Sequence, residues 1–90
     1  MNKDRRRSLK DLNERLEAMV AEIEEITSDL EGLKDEEEAY RDNMPENLTG
    51  SERYDTADNA VSAMEDALSS LEEVTGSVEE AMENIESAME

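Results

Sequence analysis

The sequence predicts an all-α protein, an antiparallel two-helix hairpin (a coiled coil) that dimerises into a four-helix bundle. Three observations predict it. Apolar residues recur every three or four positions in two long stretches. One proline-bearing segment separates them, and the two patterns match when one is folded back on the other. The 90 residues read as a single domain, 1–90, with helix 1 at about 4–42, a turn at about 43–50 and helix 2 at about 51–89.

Helix 1 is read from Leu9, Leu12, Leu16, Met19, Ile23, Ile26, Leu30 and Leu33, reaching Tyr40 after one miss at Glu37. In heptad terms Leu9, Leu16, Ile23 and Leu30 take position a, and Leu12, Met19, Ile26, Leu33 and Tyr40 take d. Both rows are expected to face helix 2. The turn is read from Pro45, which cannot continue a helix, among the turn formers Asp42, Asn43, Asn47 and Gly50. Thr49 or Ser51 can cap the next helix, and Thr49 with Glu52 matches a capping box. Helix 2 is read from Tyr54, Ala57, Val61, Met64, Leu68, Leu71, Thr75, Val78, Met82, Ile85 and Met89. A glycine inside a helix costs about 1 kcal/mol, so Thr75-Gly76 is where helix 2 is expected to kink or split, if anywhere.

Facing residue numbers in an antiparallel pair add to a constant. A value of 94 pairs Leu9 with Ile85, Leu12 with Met82, Leu16 with Val78, and so on to Tyr40 with Tyr54. Helix 2 also carries Ala60, Ala67, Val74, Ala81 and Ala88 at g. An apolar arc wider than a two-helix seam suggests a second helical contact, so these five are expected to form a homodimer face.

Charge narrows the function. The net is −18, with 27 acidic and 9 basic residues. Residues 1–10 carry +4 and residues 11–90 carry −22. Such a surface repels nucleic acid and anionic lipid and attracts basic partners. The Arg5-Arg6-Arg7 run is expected to form ion pairs with Glu83, Glu86 and Glu90 once the chain folds back. The carboxylates fall in rows: Glu17, Glu24, Glu31 and Glu38 on helix 1, and Asp58, Glu65, Asp66, Glu72, Glu73, Glu79 and Glu80 on helix 2. The plain account of these rows is a solvated face that keeps a thin protein soluble. The sharper account is a nucleic-acid mimic that occupies the groove of a basic DNA- or RNA-binding protein.

Neither Cys nor His is present, which removes disulfides, thiolate or imidazole metal sites and His-based acid–base chemistry. Glu79-Glu80-Ala81-Met82-Glu83 has the E-E-x-x-E spacing of all-helical nucleotide pyrophosphatases, without the second acidic pair those need. A non-enzymatic protein with no cofactor or metal is expected. No apolar run is long enough for a membrane span, no signal peptide is discerned, and a cytoplasmic location is expected. Met44, Pro45 and Leu48 sit at the turn tip, over Tyr40 and Tyr54, as a hairpin cap or a docking point.

The string Glu36-Glu37-Glu38-Ala39-Tyr40, then Asn43-Met44-Pro45-Glu46, then Ser51-Glu52-Arg53-Tyr54, between acidic heptads, resembles short uncharacterised acidic helical proteins of Gram-positive bacteria, their phages and integrative elements. That resemblance implies a mobile-element setting and carries over no functional residues. With it, the expectation is an acidic protein-binding module that inhibits a basic nucleic-acid-binding protein, as an anti-defence factor does. The alternative is a structural or adaptor coiled-coil homodimer whose acid serves solubility.

Overall fold

A computed structural model describes residues 1–45, 47 and 50–90. The fold is all-α: α1 spans Lys3–Asp42 and α2 spans Glu52–Met89, and the two pack against each other as a helical hairpin. The expected boundaries hold to within one residue at each end.

Each helix start has a local cause. The Asn2 side chain accepts a hydrogen bond from the Arg5 amide at 2.8 Å, and Ser51 Oγ accepts one from the Tyr54 amide at 3.2 Å. Both satisfy amides that the first turn leaves without carbonyl partners. Of the two candidate caps for α2, Ser51 acts; Thr49, with its capping box, lies outside the described residues, as do Glu46 and Leu48. α1 ends with the Asn43 amide donating to Ala39 O and the Met44 amide donating to Arg41 O. Gly50, at φ +88°, then supplies a left-handed backbone that a side chain would strain. The anticipated break at Thr75-Gly76 does not occur. α2 runs through it as one helix, with Thr75 Oγ1 donating back to Leu71 O at 3.0 Å.

The chain forms two compact units. One comprises Met1–Glu25 with Leu71–Glu90, the other Ile26–Ser70. In the first, Leu9, Leu16, Ile23, Leu71, Val78, Met82 and Ile85 are half-buried, and none of its described residues is fully buried. In the second, Ala57 and Val61 are buried, each 2% exposed, and Leu30, Met64 and Leu68 are half-buried.

The seam of α1 corrects the sequence reading. The a row turns inward as expected, but the d row does not: Leu12 is 43% exposed, Met19 52%, Ile26 45%, Leu33 56% and Tyr40 48%. Position e takes its place, with Asn13, Val20, Thr27, Lys34 and Arg41 all half-buried. In the first unit Asn13 Nδ2 donates to Met82 O at 3.1 Å, where Leu12 was expected opposite Met82. In the second, Tyr54 is half-buried but Tyr40 stands outside, and Arg41 occupies the inner position expected for it. Lys34 and Arg41 fit there because their methylene stems cover apolar surface while their charged heads reach carboxylates. α2 uses its a and d rows as expected.

Candidate protein-binding surfaces

Two kinds of surface stand out, one anionic and one apolar. Within the Met1–Glu25/Leu71–Glu90 unit, Glu17, Glu24, Glu72, Glu73, Glu79 and Glu80 are exposed. Within the Ile26–Ser70 unit, Glu31, Glu65 and Asp66 are exposed, whereas Glu38 and Asp58 are half-buried and already engaged. Glu38 accepts from Lys34 at 3.4 Å, and Asp58 accepts from Arg41 at 2.8 Å. Glu38 is thus paired within α1 and Asp58 is paired with α1 from α2, so each carboxylate already has a cationic partner.

Lys34 also pairs with Asp35 at 3.1 Å, and Arg41 with Asp42 at 2.9 Å. Donation to Asp35, then to Glu38, raises the Lys34 ammonium above its ordinary pKa. Arg41 is likewise raised, chiefly by donation to Asp42, with Asp58 adding to it against the opposing effect of desolvation. Among the described residues, Lys34 and Arg41 make the direct ion pairs. The expected cluster at the termini is not formed: Arg5, Arg6 and Arg7 stand exposed, with no direct ion pair to Glu83, Glu86 or Glu90. Exposed long side chains gain too little from pairing to be held in one geometry.

The expected dimer face divides. Ala60 and Ala67 are half-buried in their unit; Val74, 46% exposed, and Ala81 and Ala88 are open in theirs. The d row of α1, which the sequence reading assigned to the seam, is open in each unit: Leu12 and Met19 in the first, and Ile26, Leu33 and Tyr40 in the second. At the tip, Met44 is half-buried and Pro45 exposed. Two open grooves of about 410 Å³ lie within the units. One is lined by Glu37, Tyr40, Glu52, Arg53, Thr56 and Ala57; the other includes Lys10, Asn13, Glu17, Met82 and Met89.

Among the described residues, no group of three or more acidic side chains is placed to hold a metal ion, and no helix is long and apolar enough to cross a membrane. Glu79, Glu80 and Glu83 are all exposed on α2. No protein-family model matches the chain, and no curated protein or solved structure is significantly similar to it.

Proposed function

We propose that the protein is a non-enzymatic, acidic protein-binding module that competes with nucleic acid for a basic protein surface. The density of its exposed carboxylates supports this. Eleven of the 27 acidic residues fall within Glu52–Met89, against one base, Arg53, and all of them but Asp58 are exposed. At about 1.5 Å of rise per residue this is one net negative charge per roughly 6 Å of α2, against about 3.4 Å per phosphate along one DNA strand. A basic groove shaped for a phosphate backbone meets a comparable charge spacing here. In the setting that the turn motif suggests, the partner is a DNA- or RNA-binding protein of a bacterial host.

The test is capture from a bacterial lysate on the immobilised full chain, with and without duplex DNA. Basic nucleic-acid-binding proteins should be retained, displaced by DNA, and lost when Glu72, Glu73, Glu79 and Glu80 are changed together to Gln. Retention that DNA does not disturb would reject mimicry. A second reading, a structural or adaptor coiled-coil homodimer, is favoured by the exposed apolar row of α1.

A further inference from the structure

We infer that Met82 is a reversible oxidation site, and that a hydroperoxide converting it to the sulfoxide opens the Met1–Glu25/Leu71–Glu90 unit. The inference is independent of both mimicry and the homodimer reading.

Place is the first argument. With no cysteine in the chain, the six methionine thioethers are the side chains open to a mild peroxide. Met1 and Met19 are 54% and 52% exposed, so a gain in polarity there is met by water. Met44 lies beyond the end of α1, and Met89 is the last residue of α2, where a helix frays. Met64 belongs to the unit that holds the buried pair Ala57 and Val61, and it lines neither described groove. Met82 combines a seam position with an open approach. It is half-buried in α2 and lines the groove of about 410 Å³ that Lys10, Asn13 and Met89 share.

Hydrogen-bond supply is the second. In the reaction a sulfur lone pair attacks one peroxide oxygen, an S–O bond forms and the O–O bond breaks. The proton of the attacked oxygen passes to the departing hydroxide, which leaves as water; sulfur is oxidised and the peroxide reduced. The product carries a strong acceptor where the seam is short of donors. Asn13 Nδ2 is already given to Met82 O at 3.1 Å, and Asn13 Oδ1 is buried with no partner. The other side-chain donor lining the groove is Lys10, which is exposed. The sulfoxide oxygen therefore takes the Asn13 amide from that carbonyl, or draws water and the Lys10 ammonium inward. Either change loosens the pairing of the two helices in this unit. None of its described residues is fully buried, and residues 71–90 hold seven acids and no base, so little resists the opening. Leu9, Leu16, Val78 and Ile85, half-buried in the reduced chain, become accessible in the oxidised one.

Treatment of the full chain with hydrogen peroxide, followed by peptide mass mapping and hydrogen exchange, tests the site. Met82 sulfoxide should form, and amides of the Met1–Glu25/Leu71–Glu90 unit should then exchange faster by roughly tenfold or more. Amides around Ala57 and Val61 should keep their rate. Met82→Leu, close in volume and inert to peroxide, should abolish the acceleration although the other five methionines still oxidise. Met89→Leu should leave it in place. Methionine sulfoxide reductases should restore the original rate. Exchange that quickens as much in oxidised Met82→Leu, or that is unchanged in wild type once Met82 sulfoxide has formed, would overturn the proposal. So would a Met82 thioether left intact by peroxide that converts Met1 and Met19.

Discussion

Single residues fix the local geometry, and glycine shows it at two positions with opposite signs. Gly76 lies inside α2, and a Cβ added there meets nothing within 4 Å. Gly76→Ala should therefore stabilise the protein by about 1 kcal/mol. Gly50 also has space for a Cβ, but its φ of +88° disfavours one. Gly50→Ala should cost about 1 kcal/mol or more. Thermal melts of the two variants should move in opposite directions from wild type. Lys34 gives a pH signature. Its folded-state pKa is raised above 10.5, so its pairing with Asp35 and Glu38 stabilises the protein in full below that pH. The contribution fades as pH climbs through the folded value. The difference in Tm between wild type and Lys34→Met should be constant from pH 7 to about 10 and shrink above it.

Elements were legible in the sequence to different depths. A 3–4 repeat fixes where a helix runs, and the boundaries of α1 and α2 follow it closely. The a row of α1 was legible for the same reason. The choice between d and e beside it was not. Periodicity locates apolar rows, but not which of them faces the neighbouring helix and which a different surface. Position e was disguised by polarity, because Lys34 and Arg41 register as solvent residues unless their stems are counted as cover. Asn13 gave a faint signal, since a lone polar residue beside a seam often fixes register. Gly76 was over-weighted: a local cost of about 1 kcal/mol is small beside the packing that holds a helix this long. The expected register of the a row is testable. Leu16→Cys with Val78→Cys should form an intramolecular disulfide in oxidising buffer, and failure to do so in the monomer would reject that layer. The acid rows were legible as rows, but not the pairing of Glu38 and Asp58 with Lys34 and Arg41, which depended on the inward turn of those two bases.

For the whole molecule, self-repulsion at a net charge of −18 opposes the folded state. Raising the salt from 20 mM to 500 mM should raise Tm, because screening weakens repulsion between exposed carboxylates more than it weakens the half-buried pairs of Lys34 and Arg41. A Tm that falls with salt would mean that attraction between charges holds the fold. The same accounting bears on composition: with Ala57 and Val61 as the buried core among the described residues, little apolar burial is available to offset that repulsion. Val61→Ala should be among the costliest single truncations, roughly 2 kcal/mol.

The absence of a fully buried side chain from the described part of Met1–Glu25 with Leu71–Glu90 reaches into time as well as energy. Backbone amides there are screened from deuterium only by hydrogen bonds that open as a helix frays, so they should exchange in transient local openings. Amides around Ala57 and Val61 should wait for the rarer opening of the whole chain. The slowest-exchanging protons would then mark the place where the polypeptide holds on last.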